Sequence, residues 1–311
     1  MTTFLYSHPD CDAHVTPPGH PEQVARLAHI RAALGGSGFD ALRRESAPLA
    51  EEADMLRCHP QRYIDRVRAA VPQAGWSALD GDTHLAPGSY IAALRAVGGN
   101  LAAVDAVLAG AAANGFVACR PPGHHAERET AMGFCLFGNV AIAARHALDH
   151  HGLSRVAILD FDVHHGNGTQ DLIWEEERVL FASSHQMPLY PGSGAPAERG
   201  AHDNVLNVPL EPNSGSAAMR AAWGEVILPR IREFAPELIL VSAGFDAHQE
   251  DPLANLNWST ADFAWLTHKI CDVAERVCAG RVVSTLEGGY DLEALAASAA
   301  AHVRVLMERA E

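Results

Sequence analysis

The stretch Val156-Ala157-Ile158-Leu159-Asp160-Phe161-Asp162-Val163-His164-His165-Gly166-Asn167-Gly168-Thr169-Gln170 decides how this 311-residue chain is read. Its first four residues form an unbroken apolar run, the pattern of a strand buried on both faces of a parallel sheet. The composition then flips to Asp160, Asp162, His164 and His165, followed by a Gly-Asn-Gly loop. Extended geometry would point Asp160, Asp162 and His164 to one side, because strand side chains alternate at period two. Two carboxylates and an imidazole converging there would repel or be poorly solvated without a cation. Mixed oxygen and nitrogen donors suit zinc, with iron or cobalt as substitutes. A hydrated polar loop accounts for an isolated D-x-D-x-H equally well, so the other strand ends have to decide.

On either side of this stretch, Thr3–Tyr6, Phe116–Cys119, Val179–Ala182, Asn204–Val208, Leu238–Val241 and Val282–Thr285 read as short strands. Helical patterns cover 22–34, 51–57, 61–70, 89–112, 137–150, 171–176, 216–234, 259–278 and 292–309. Pro21 suits the first turn of the first helix, and Ser89 the N-cap of the long Ala-rich one. Residues 7–21 form a loop too polar for the core, and 73–86 form a second loop. The alternation predicts an α/β protein with a parallel sheet covered by helices on both faces. No repeat or linker divides residues 1–311, which read as one domain.

Hydrophobic residues make up 48% of the chain, enough for a sizeable core. No run is expected to reach the roughly 20 apolar residues of a membrane span. Met1-Thr2-Thr3-Phe4-Leu5 lacks a basic segment followed by an apolar one, which predicts a cytoplasmic location. Six cysteines without a C-x-x-C pair read as buried thiols. A formal net charge of −15 argues against nucleic acid as a partner and suits attraction of a cationic substrate.

Ligands of parallel sheets bind outside the carboxyl ends of the strands. Four such ends here carry reactive residues: Gly123-His124-His125, Asp160 to Asn167, Ser242-Ala243-Gly244-Phe245-Asp246, and Glu287-Gly288-Gly289-Tyr290. One such placement arises easily by chance; four do not.

Through these motifs the sequence resembles the zinc-dependent histone deacetylase family, in particular its class II-like branch and bacterial amidohydrolases. Arg120-Pro121-Pro122-Gly123-His124-His125-Ala126, Gly133-Phe134-Cys135 and the segments 160–169, 242–246 and 287–290 carry the resemblance. Pro18-Gly19-His20-Pro21-Glu22 and Tyr190-Pro191-Gly192-Ser193-Gly194 match as well, in the family order. The resemblance implies an arginase/deacetylase-type three-layer α/β/α fold with a central, mainly parallel eight-stranded sheet. It also implies one catalytic Zn²⁺ and a structural K⁺.

Carried over residue by residue, the resemblance makes Asp162, His164 and Asp246 the zinc ligands, with positions left open for water and substrate. His125 becomes the general base, facing Asn167 where class I relatives have aspartate. His124, facing Asp160, becomes a charged support, and Tyr290 a donor to the developing oxyanion. Potassium would meet carbonyls of Asp160, Asp162, His164 and Ser184, with side-chain oxygens of Asp160 and Ser183. Gly133, Phe134 and Tyr190 would wall an acyl-lysine tunnel. Leu253 stands at the gatekeeper position, where a glutamate favours acetylpolyamines. Asp82, or its neighbour Asp80, would orient a substrate amide. His165, His185 and His248 read as structural, and His146, His150 and His151 as surface or helix-face residues.

The expected activity is zinc-dependent hydrolysis of an N-ε-acyl-lysine amide in a peptide or protein. The alternative is an acetylpolyamine or other small cationic acyl-amide. An arginase-type ureohydrolase would need D-A-H-x-D and a second metal's ligands. A non-catalytic acyl-lysine binding module would be expected to lack the histidine pair or Tyr290. Neither a nucleic acid nor a membrane is expected as partner, and a homo-oligomer stays open.

Overall fold

Val156–Leu159 does form a strand with every side chain buried, and each large aliphatic in it contributes about 2 kcal/mol of burial. The computed structural model describes residues 2–311; Met1, the first residue of the segment read for an export signal, lies outside them. The strands are β1 (Thr3–Ser7), β2 (Arg43–Ser46), β3 (Ser77–Ala78), β4 (His84–Leu85), β5 (Asn114–Val117), β6 (Val156–Asp160), β7 (Val179–Gln186), β8 (Val205–Leu210), β9 (Leu238–Ala243) and β10 (Val282–Leu286). The helices are α1 (Ala25–Ala33), α2 (Glu52–Met55), α3 (Gln61–Ala69), α4 (Ser89–Leu108), α5 (Asn139–Asp149), α6 (Asn167–Ile173), α7 (Ser216–Ala221), α8 (Leu228–Phe234), α9 (Thr260–Cys278) and α10 (Leu292–Glu308). Eight strands make one sheet in the order β2-β1-β5-β10-β9-β6-β7-β8, and every pairing is parallel rather than mainly so. Helices α1, α10, α9 and α8 pack in one succession and α4, α5 and α6 in another, giving the three-layer α/β/α fold.

Several boundaries depart from expectation for physical reasons. β2 reads Arg-Arg-Glu-Ser, an edge strand of charged, largely exposed side chains with no apolar alternation to reveal it. Residues 73–86 hold the small antiparallel β3–β4 hairpin. Helix α1 starts at Ala25 rather than Glu22, because Glu22 is drawn inside to pair with Arg120. Gly88, not Ser89, is the N-cap of α4; the Ser89 hydroxyl accepts from the Ala86 amide and meets His14 instead. The helix expected over 216–234 is interrupted by a π-helical turn at Ala222–Ile227, just before Pro229, whose ring cannot continue a regular hydrogen-bond ladder.

Two composition readings also change. Helix α4 is, by length and apolar composition alone, capable of spanning a membrane, contrary to the expectation that no run would be. Most of it is buried, packed on β1, β5, β10 and α5, so its apolarity serves the core. The loop 7–21 is not wholly outside the core either, since Cys11 and His14 are buried. All six cysteines are free and buried, as expected.

Candidate active site

β5, β10, β9 and β6 are neighbours in the sheet, and their carboxyl ends are level, with Asp160 beside Ser242 and Ala243 beside Leu286. At about 4.8 Å per strand, the four motif-bearing ends fall within about 15 Å. Among them lies a cavity of about 240 Å³ lined by Asp82, His125, Gly133, Phe134, His164, Leu189, Tyr190, Leu253 and Tyr290. A larger recess of about 520 Å³ beside β1 and α1 gathers no comparable ligand set.

β6 stops at Asp160 and the chain bends, so the extended alternation does not run on to His164. The side chains converge by another route. Asp160 Oδ1 accepts the Asp162 amide at 3.1 Å, and Asp162 Oδ1 the His164 amide at 2.9 Å, which curls the segment. His164 Nδ1 lies 3.2 Å from Asp162 Oδ1 and 3.1 Å from Asp246 Oδ2. One ligand atom from each of the three buried residues lies within 4.8 Å of the others. The Gly288 amide donates to Asp162 Oδ2 at 2.8 Å and the Val163 amide to Asp246 Oδ1 at 2.9 Å. A Cβ at Gly244 would stand 2.0 Å from Asp162 Oδ2, and one at Gly288 2.1 Å from Asp246 Oδ2. Glycine at both places lets backbone press against the carboxylates. One nitrogen and two carboxylate donors, with no fourth protein ligand among the described residues, fit a metal that keeps open positions.

The histidine pair is held from behind. His124 Nδ1 lies 3.0 Å from Asp160 Oδ2, and His125 Nδ1 lies 2.8 Å from Asn167 Oδ1. Asn167 Nδ2 in turn donates to Glu127 Oε1 at 2.8 Å. A carboxylate only accepts, so Glu127 turns the Asn167 nitrogen towards itself and the oxygen towards His125. His125 Nδ1 must then carry the proton, leaving Nε2 a bare base. Burial, then the charges of His124 and His164, hold His125 well below its ordinary pKa. Burial also opposes charge on His124, but Asp162 and Asp160 outweigh it and raise that pKa well above the ordinary value. Burial lifts the Asp160 carboxyl to about 6 while His124 pulls it back, and the proton between them rests on the imidazole.

Tyr290 is buried, which raises its pKa well above 10 and keeps the phenol a donor. Its amide donates to Asp251 Oδ2 at 2.7 Å, and the Arg26 guanidinium sits 5.0 Å from its ring centroid. Arg26 Nε donates to the Gly289 carbonyl at 2.7 Å, and Nη2 to the Glu287 carbonyl. Glu287 Oε2 accepts the Gly123 and His124 amides at 2.7 and 3.2 Å, tying β10's end to the histidine pair. Glu22, Arg26, Arg120, Glu127, Asp251 and Glu287 thus support the site, and the sequence reading gave them no role. Four of them stood inside or beside the quoted motifs, which was the available signal.

The residues expected to wall a tunnel, Gly133, Phe134, Tyr190, Leu253 and Asp82, all line this cavity. Tyr190 stands edge-on to His125 at 5.2 Å, and Phe134, at φ 69°, edge-on to Tyr290 at 5.8 Å. Gly133 has φ 54°, and a Cβ there would strike His125 at 2.4 Å. Asp82 lines the cavity, while Asp80 spends Oδ1 on the amides of Asp82 and Thr83. Of the expected potassium residues, Asp160 and Ser183 are paired across β6 and β7. Ser183 Oγ meets His185 Nδ1 at 2.9 Å, and Ser184 Oγ accepts Trp223 Nε1 at 2.9 Å. His165 and His185 are buried among Ser193, Gln170 and Gly194, as structural residues would be. His146, read as a surface or helix-face residue, lies on α5 with its side chain buried.

A model of the histone deacetylase domain matches residues 20–306. The chain belongs to the histone deacetylase family. A histone deacetylase-like amidohydrolase of Pseudomonas aeruginosa is 43% identical over 285 residues, covering 89% of this chain and 74% of that protein. The human polyamine deacetylase HDAC10 is 37% identical over 98% of this chain, which spans 46% of that protein. The crystal structure of the HDA15 HD domain superposes with a TM-score of 0.93 at 33% identity, covering 99% of this chain and 89% of that one. The fold is therefore that of the arginase/deacetylase proteins, and the chain is a deacetylase-type hydrolase of a metal-dependent family.

Proposed function

We propose that this chain is a zinc-dependent amidohydrolase that removes the acetyl group from an N-ε-acetyl-lysine-like amide. The observation that carries the reading is the bare Nε2 of His125 in the same cavity as His164 of the Asp162–His164–Asp246 cluster and Tyr290. Zinc, if held by those three residues, would supply Lewis acidity to the acyl oxygen and acidify a water. His125 Nε2 takes a proton from the attacking water, while Asn167 keeps the ring oriented. Tyr290 donates its hydroxyl proton in a hydrogen bond to the acyl oxygen as that oxygen becomes negative. When the carbon–nitrogen bond breaks, His125 returns the proton to the departing amine. His124 stays charged beside Asp160 and favours the negative charge that develops. Phe134 and Tyr190 sheathe the methylene chain, and Asp82 stands at the wall to accept from a substrate amide. Potassium on the Asp160–Ser183 side would hold the ligand strand rigid. The whole chain acts as one catalytic domain.

The test is metal-free enzyme assayed on an acetyl-lysine fluorogenic peptide before and after addition of Zn²⁺. Activity should return with zinc in the wild type and stay absent in His125→Ala; full activity in that variant or in Tyr290→Phe would sink the mechanism. A second reading, deacetylation of an acetylpolyamine, is favoured by the polyamine-deacetylase relative and by the acidic balance of the chain. Leu253 at the mouth offers no carboxylate to pair with a secondary amine. Parallel kinetics on acetyl-lysine peptides and acetylspermidine separate the two.

A further inference from the structure

A second group of imidazoles lies outside the cavity, at the carboxyl end of α5. His146 and His150 are four residues apart, so they share one helical face, and His151 follows at once. The rings of His146 and His150 stack at 4.8 Å and 11°, with His151 edge-on to them at 5.3 and 4.9 Å. One nitrogen from each lies within 4.8 Å of the other two. Asp105, in the last turn of α4, accepts from Nε2 of His146 and of His151 through the same oxygen, at 2.7 Å each. His146 is buried, and its Nδ1 has no hydrogen-bond partner among the described residues. His150 is exposed, so the group opens to solvent. The last carbonyls of α5 add negative potential there.

We propose that His146, His150 and His151, with Asp105, form a second metal site for a zinc-like divalent transition ion. Three imidazoles and a carboxylate suit zinc, nickel or copper, whereas magnesium and calcium require mostly oxygen donors. Asp105 joins as fourth ligand or fixes the imidazole orientation from behind. The active-site end of α5 is Asn139, whose side-chain Nδ2 donates to the Pro121 carbonyl just ahead of the histidine pair. The cluster sits at the opposite end, a helix of about 16 Å away, so its ion ties α4 to α5 and takes no part in hydrolysis.

The test counts metal in the enzyme equilibrated with micromolar Zn²⁺ and then freed of loosely held ion. Wild type should hold two equivalents, the His150→Ala/His151→Ala double variant one, and Asp162→Ala one. The double variant should keep wild-type kcat and KM, since none of its changes reaches the cavity. Asp105→Asn should weaken the second equivalent at least tenfold, and it carries the same comparison if the double variant proves insoluble. One equivalent in the wild type, or two retained in the double variant, would overturn the site. Loss of the equivalent assigned to Asp162 without loss of the second bears only on the catalytic metal.

Discussion

Asp251 holds the Tyr290 amide at 2.7 Å on one carboxylate oxygen and the Leu253 amide at 3.0 Å on the other. One buried side chain therefore couples the residue at the tunnel mouth to the backbone that presents the phenol. Asp251→Asn leaves one of those amides facing an NH₂ group. Loss of one such hydrogen bond is worth about 1 kcal/mol. We expect kcat to fall about fivefold with a smaller change in thermal midpoint, read from steady-state kinetics and thermal melts. A variant that melts earlier but keeps kcat would assign Asp251 to stability alone.

Asn167→Asp places a charge opposite His125 Nδ1, 2.8 Å away in the wild type. A carboxylate favours imidazolium, so the pKa of His125 rises. The base must be neutral to act, so the acidic limb of the kcat/KM profile should move to higher pH. An unmoved limb would mean that another group is the base. Glu127→Ala frees Asn167 to flip and removes a bond that favours imidazolium, so it should lower kcat without moving the limb to higher pH.

Glu22 is buried with Arg120, Arg26 and His14 around its carboxylate. Burial alone would raise its pKa, but Arg120 outweighs burial and holds it well below the carboxylate range. Glu22→Gln leaves two buried guanidiniums short of a counter-charge, at a cost of about 3–5 kcal/mol. A fall in thermal midpoint on the order of 10 °C is expected by calorimetry. A midpoint within error of wild type would show the pairs to be dispensable.

His59, His185 and His302 are buried, and burial pushes them down to about 4, about 4 and about 3. Each is neutral when folded and takes up a proton on unfolding below about 6.5. Their contribution to stability is thus complete above about pH 6.5 and is lost as pH falls towards 4. The slope is roughly 1.4 kcal/mol per pH unit for each histidine. Thermal melts from pH 7.5 down to 5 should show a steep loss, and His302→Gln should flatten it.

By itself the sequence determined the fold class and singled out the candidate reacting groups. Buried strands announce themselves as apolar runs, and each such run here that leads into the site breaks within a few residues into candidate ligands or catalytic groups. Asp162 and His164, two residues apart, are brought together by their own backbone however the segment bends. Only the tertiary structure decided that β5, β10, β9 and β6 stand side by side, since neighbourhood in a parallel sheet does not follow chain order. It also decided the supports. Arg120 and Glu22 are 98 residues apart, and Gly123 and Glu287 are 164 apart. No periodicity links such pairs; desolvation inside a shared interior forces the charges to find one another. The same reason hid β2, whose charged edge buries too little to leave a pattern.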